Sequence, residues 1–177
     1  MNEATTEENM VTIATNKLKA ALKCAAVDDD RCYLNAVRVF KDKLTGNIFI
    51  ESTNGHYLFR GVLAEEGPDI DWIIPADKVK LAVTLKVREI TITDTLLGDI
   101  VYQPIDAKFP DTDRVIPARL NGKPGVYDPY YLALCNDALR LWDGNKGAYY
   151  TLEQNGPSDP ARMSTTDAFC IIMPRRV

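Results

Sequence analysis

The chain holds few side-chain sets able to do covalent or redox chemistry. Its single histidine, His56, follows Asn54-Gly55, and no serine or cysteine stands in an elbow-like motif that would make it a nucleophile for such a base. Carboxylates gather at Asp28-Asp29-Asp30 and at Asp111 with Asp113. A hard cation needs more converging oxygen ligands than these supply, so the first set reads as a helix stop and a turn. Cys24, Cys32, Cys135 and Cys170 are far apart in sequence, lie in apolar surroundings and show no C-x-x-C spacing. Buried, reduced thiols are therefore expected in place of a zinc site. There is no phosphate-cradling Gly-rich loop, no H-E-x-x-H and no pair of catalytic acids. These residues predict a protein that is not an enzyme and that carries no metal and no cofactor.

What remains is the chemistry of docking. The segment Ala168 to Ile172 is apolar and is followed by Met173-Pro174-Arg175-Arg176-Val177. Chain ends are usually loose and polar unless something ties them down, so this run is expected to be buried or bound. A second candidate surface is basic. Lys17, Lys19 and Lys23 fall on the first predicted helix, and Lys78, Lys80 and Lys86 fall on or just after the second. Lysines on exposed helix faces ordinarily solvate the face. The third predicted helix carries Arg140 but also Asp137, with no comparable stripe. A formal net charge of −4 argues against a generally basic nucleic-acid binder, although the field depends on where the charges lie.

The elements that must position these residues follow from periodicity and punctuation. Met10 to Ala14 alternates as a strand, and Thr15 is placed to cap a helix from Asn16 to about Ala26, with Leu18, Leu22 and Ala25 on one face. Cys32 to Phe40 reads as a strand. Asn47 to Thr53 and His56 to Leu63 form a hairpin about Asn54-Gly55, a dipeptide suited to a turn with positive φ at both positions. Trp72 to Ile74 is a short strand feeding Pro75, which is predicted at the first position of a helix reaching about Leu85. Glu89 to Thr93 and Gly98 to Gln103 suggest a further hairpin.

Residues 118–127 contain Gly122, Pro124 and Gly125 and read as a linker. Beyond it, Asp128 caps a helix opened by Pro129, with Tyr131, Cys135 and Ala138 on its apolar face. Leu139 to Trp142 and Ala148 to Glu153 are expected as strands about the turn at Asp143 to Gly147. Asn155 to Ala161 is a loop, and Ala168 to Met173 is a closing strand. The order predicts an α+β fold: antiparallel sheets with helices on one face, in a complete unit over 10–117 and a partial second unit over 128–177. The partial unit repeats only helix, hairpin and final strand, so it cannot bury its own apolar faces and must dock on the first unit or on another chain.

The length of 177 residues and the 46% hydrophobic content suit one domain or two small ones with a proper core. No apolar run approaches a bilayer span, and residues 1–9 are acidic and polar, unlike a secretory or basic targeting peptide. A disordered N-terminus and a cytoplasmic location are expected.

Five segments, Asp29 to Asn35 (DDRCYLN), Thr53 to Leu58 (TNGHYL), Ile73 to Lys78 (IIPADK), Phe109 to Pro117 (FPDTDRVIP) and Ile171 to Val177 (IIMPRRV), resemble in order the bacterial DNA polymerase III β sliding-clamp family. The resemblance covers the middle domain of a clamp subunit from Met10 to Pro117, and the latter half of its last domain from about Tyr127 to Val177. It implies a DNA-clamp fold and a non-enzymatic role in DNA replication or repair. It also implies a groove between the two units that takes short clamp-binding peptides of polymerases and related proteins. Carried over by position, the groove would be lined by Thr53, Gly55, His56, Tyr57, Leu58, Pro110, Arg114, Val115, Ile171, Met173, Pro174, Arg175 and Arg176. Backbone groups at the chain end would pair with an extended peptide.

The lysines of the first two helices would face duplex DNA. Four positions depart from the family pattern: Tyr57 and Asp113 each replace a usual Arg, Thr112 a usual aromatic and Arg175 a usual Met. Arg175 would bring charge to an apolar pocket and Asp113 would offset a nearby cation, so the pocket would either favour a different, more acidic peptide or bind the usual ones weakly. The segments that close a clamp ring have no counterpart here, so the resemblance implies an adaptor or decoy. The alternative is a DNA-encircling processivity factor that closes a ring through a non-standard oligomer.

Overall fold

A computed structural model describes residues 9–117, 125–144, 150–154, 156 and 158–175. The expectation of a disordered N-terminus and most of the expected linker lie outside the described residues. The first unit runs β1 (Val11–Ala14), α1 (Thr15–Leu22), β2 (Ala36–Lys41), β3 (Ile48–Thr53), β4 (Tyr57–Ala64), β5 (Asp71–Pro75), α2 (Ala76–Ala82), β6 (Glu89–Ile92), β7 (Leu96–Leu97) and β8 (Ile100–Val101). The second adds α3 (Pro129–Asp143), β9 (Thr151–Glu153), β10 (Ala161–Ser164) and β11 (Ala168–Ile172). All strand pairs are antiparallel.

The two units share one sheet. Strand β11 pairs with β4, matching Ile172 to Tyr57, Ile171 to Leu58 and Cys170 to Phe59, so a seven-stranded sheet runs β5-β2-β3-β4-β11-β10-β9. A separate four-stranded sheet runs β1-β6-β7-β8. Strand alternation then sorts the residues of the large sheet. Val37, Val39, Ile48, Ile50, Phe59, Cys170 and Ile172 face the helices and join one buried core with Leu18, Val79, Leu139 and Trp142. Arg38, Glu51, Arg60 and Ile171 point to the opposite face, which the segment through Phe109 and Thr112 covers.

The segment from α3 to β11 packs on the rest of its own chain. Asn16 of α1 donates to the carbonyls of Leu141 and Trp142, both at 3.0 Å, which satisfies the last turn of α3. The Trp142 ring packs on Phe59 with centroids 5.5 Å apart, and its indole N–H donates to Asp167 at 2.8 Å. Gly61 makes this contact possible, since a Cβ there would come within 2.5 Å of the Trp142 ring.

Several expected elements take another form. Thr15 does not cap α1 but lies inside it, its hydroxyl donating to the Val87 carbonyl at 2.8 Å. The helix ends at Leu22, short of Ala26, because the Lys23 and Cys24 N–H groups bond three residues back and Ala26 N–H turns to the Leu34 carbonyl. Cys32–Leu34 is a 3₁₀ turn before β2, since Asn35 is tied to the backbone of Asp29 on both sides of its amide. At Asn54-Gly55 only Gly55 has positive φ, +90°. The Asn54 side chain instead accepts from the N–H groups of His56 and Tyr57, giving a longer Asx-type connection.

Pro75 closes β5 and precedes α2, which stops at Ala82 in a turn of three-residue bonds. The expected hairpin after Glu89 is split, because β6 pairs with the two-residue β7, which then pairs with β8. Leu139 to Trp142 is helix, not strand. It continues the buried stripe Cys135, Ala138, Leu139 and Trp142 to a left-handed Gly144 at φ 67°. Strand β10 appears just after the predicted loop, and much of the expected turn at Asp143 to Gly147 lies outside the described residues. Asp128 caps α3 as expected, accepting from Tyr130 N–H.

The opposite face is built on Glu51, which is fully buried and bound by Arg38 at 3.0 Å, Arg60 at 2.8 Å and the Thr112 hydroxyl at 2.9 Å. Arg38 also reaches Asp71, and Arg60 reaches Asp113 at 2.6 Å. Glu51→Gln removes the one buried countercharge that Arg38 and Arg60 share, leaves each only its exposed aspartate, and should cost roughly 2–4 kcal/mol in denaturant unfolding. Gly61→Ala should cost about 1–3 kcal/mol and weaken the near-ultraviolet circular dichroism of Trp142 as the second unit shifts outward.

Candidate docking cleft

The β3–β4 connection, the start of the tail after β11 and the 3₁₀ turn Thr112–Val115 meet on the opposite side of the large sheet from the helices. They enclose a cleft of about 310 Å³. Thr53, Gly55, His56, Tyr57, Leu58, Pro110, Val115, Ile171 and Met173 line it, so most of the residues proposed from sequence come together. Each is positioned by local bonding. Thr53 donates its hydroxyl to the Tyr57 carbonyl at 2.7 Å and accepts from Gly55 N–H at 3.0 Å, which closes the turn. Leu58 and Ile171 are register partners across β4 and β11 and lie side by side, both buried, as the floor.

Met173 leaves the strand half-buried, its N–H donating to the His56 carbonyl at 3.0 Å. Arg175 N–H donates to Val126 at 2.8 Å. These two tail amides are thus already used, which limits the backbone pairing expected for an incoming strand.

Pro174 and Arg175 line an adjoining hollow of about 270 Å³ with Asp128 and Tyr131, sharing His56 and Met173 with the cleft. Arg175 is exposed there, outside the main cleft lining. The His56 ring stacks on Tyr131 at 5.6 Å, forming a rib between the two hollows. Arg114 is exposed on its 3₁₀ turn and does not line the cleft, and Arg176 lies outside the described residues. Tyr57 turns its ring to the helix side, 5.0 Å from Tyr131, where burial raises its phenol above the usual range. Asp113 does offset a cation, Arg60.

Sequence reasoning missed Arg31, Tyr33, Leu34, Asp111 and Thr112 in the lining. The signal was in the DDRCYLN segment. Asp29 takes both Nε and Nη2 of Arg31 at 2.8 Å, and this holds the Asp29 carboxyl down to about 2. A Cβ on Gly55 would lie 3.7 Å from the Arg31 guanidinium nitrogens, so the cation stands at the cleft rim beside the glycine. The cleft therefore has an apolar floor of Leu34, Leu58, Val115, Ile171 and Met173 with a cationic edge at Arg31. A larger hollow of about 960 Å³ lies beyond Pro110, but its arginines, Arg38 and Arg60, are both committed to carboxylates.

The helix-borne lysines do not behave as one set. Lys17 lies 4.2 Å above the Trp142 ring and 3.8 Å from Asp167, inside the junction between α1 and α3. Lys78 sits 3.5 Å from Asp77, whereas Lys19, Lys23, Lys80 and Lys86 are exposed. Three of the cysteines are buried as expected, but Cys32 is exposed. No helix among the described residues is long and apolar enough to cross a membrane.

No protein-family model matches the chain, and no curated protein matches it significantly. Solved structures do. The DNA polymerase III β subunit of Pseudomonas aeruginosa superposes with a TM-score of 0.74 at 16% identity, over 100% of this chain and 69% of that one. The β subunit from Streptococcus pyogenes gives 0.76 at 13% identity, over 100% and 68%. The Helicobacter pylori β clamp bound to a DNA ligase peptide gives 0.75 at 11% identity, over 100% and 68%. The chain thus spans about two thirds of the length of the clamps it matches. With its antiparallel sheets, the three α-helices among its described residues and these superpositions, the chain has the fold of the bacterial DNA polymerase III β sliding clamps.

Proposed function

We propose that this chain is a non-enzymatic docking protein of DNA replication or repair that captures short clamp-binding peptide motifs, acting as an adaptor or decoy. The observation that carries this reading is the cleft at the β4–β11 junction, apolar on its floor and about 310 Å³ in volume. That space suits one or two branched or aromatic side chains of a peptide held against Leu58, Ile171 and Met173. Arg31, held to Asp29 through Nε and Nη2, offers its remaining Nη1 at the rim to an acidic residue next to the anchor. The likeness to a clamp bound to a DNA ligase peptide supports the same class of partner. The alternative, a processivity factor that encircles DNA through a non-standard oligomer, would place α1 and α2 toward the duplex. Support for it is thinner, because Lys17 and Lys78 each lie beside a carboxylate and α3 exposes Asp137.

A fluorescent peptide with a Leu-Phe anchor flanked by an acidic residue should bind saturably in an anisotropy titration. Met173→Ala should weaken it roughly tenfold, as expected for losing one buried apolar contact, while Leu81→Ala on α2 should leave it unchanged. Absence of saturable binding by the intact chain at high micromolar peptide would sink the docking reading. Replacing Lys19, Lys23 and Lys80 by Ala tests the alternative. Duplex affinity at low salt that does not fall, together with a monomeric mass by light scattering at micromolar concentration, would rule it out.

A further inference from the structure

Three thiols from distant parts of the chain converge behind the cleft. Cys24 lies just beyond α1, Cys135 is in the middle of α3 and Cys170 is in β11, one residue before the cleft-lining Ile171. Their sulfur atoms all lie within 4.8 Å of one another, and each residue is 0% exposed. A single buried cysteine is ordinary core filling, with its S–H spent on a carbonyl. Here Cys170 does reach the Cys135 carbonyl, at 3.8 Å, but three thiols share one pocket that a single cysteine would fill. The sequence hid this set, because no two of the three residues share a local motif.

The triangle has the dimensions of a coordination site. Metal–thiolate bonds of about 2.3 Å around a three-coordinate ion put the sulfurs about 4 Å apart, so closing this trio onto an ion takes shifts well under an ångström. Among the described residues no fourth cysteine, histidine or carboxylate joins the cluster. A structural zinc site almost always uses four ligands, whereas an all-sulfur set of three suits a soft monovalent ion that accepts trigonal coordination. We propose that Cys24, Cys135 and Cys170 form a buried site for one soft d¹⁰ cation, with cuprous ion the best fit.

Each thiol that binds the ion gives up its proton to solvent. A bound ion would bolt the end of α1 to α3 and β11, which are the two units on either side of the cleft. The proposal does not depend on peptide binding.

The test uses the full chain, reduced and anaerobic, titrated with Cu(I) against a competing cuprous chelator. It is run both on the native protein and on protein refolded with the ion, since the site is sealed. The expected result is one equivalent per chain, a sulfur-only shell by X-ray absorption and a raised melting temperature. Cys32→Ala, which removes the exposed thiol, should change nothing. Cys135→Ser should weaken binding roughly 100-fold or more. If Cys135→Ser is misfolded by circular dichroism, Cys24→Ala carries the same test. Binding that survives loss of a trio member, binding lost in Cys32→Ala, a shell containing oxygen or nitrogen, or no uptake even on refolding would each overturn the proposal.

Discussion

The pairing of β4 with β11 is the constraint on which the rest of the molecule depends. Without it, β9 to β11 would be a three-stranded sheet with α3 on one side and nothing to cover its edge. With it, the backbone groups of β11 are satisfied by β4, and the apolar face of α3 is buried against α1 and Phe59. The same register sets the cleft, because matching Ile171 to Leu58 puts both side chains on the face away from the helices. A slip of one residue would send them into the helix layer and bring Cys170 and Ile172 out.

The two faces of the large sheet solve different problems. The helix side is dry and apolar, closed by Trp142 over Gly61 and by the cysteine trio. Among the described residues the other side has no α-helix over it and uses charge instead. Glu51 sits between two arginines, whose outer ends reach Asp71 and Asp113, and this binds the segment carrying Pro110 to Val115 to the sheet. Such a buried network adds little net stability over an apolar substitute, but removing its central carboxylate leaves two guanidiniums held only by exposed aspartates. The segment also forms one wall of the cleft, so its anchoring determines whether the cleft has a fixed shape.

Much of this was legible in the residues. Alternation located most of the strands of the large sheet, and Asp128-Pro129 marked the start of α3 accurately. The resemblance of short segments to the clamp family pointed to Thr53, Gly55 to Leu58, Pro110, Val115, Ile171 and Met173, and these residues line one cleft. The failures have physical causes. Leu139 to Trp142 is a short apolar run that either period accommodates, and the contact with α1 and Phe59 decided for helix. The ends of α1 and α2 were set by turn hydrogen bonds that no propensity encodes. Arg31 reached the cleft rim through a carboxylate two residues away, and the cysteine trio arose from the topology alone. Local signals captured local structure, and they missed what depended on a contact between distant segments.

The unbroken sheet also bears on how the cleft can respond to an occupant. In a protein whose binding site lies between two loosely joined bodies, the bodies swing together and the site closes like jaws. Here a continuous ladder of backbone hydrogen bonds crosses the junction beneath the cleft floor, so opening it would break strand pairs in the middle of a sheet. Adaptation is left to side chains at the margin: Met173 with its flexible thioether, Arg31 swinging about Asp29, and His56 sliding on Tyr131. A peptide bound there, as proposed, would be selected by its shape, and the speed of recognition would be set by rotamer exchange, not by domain motion.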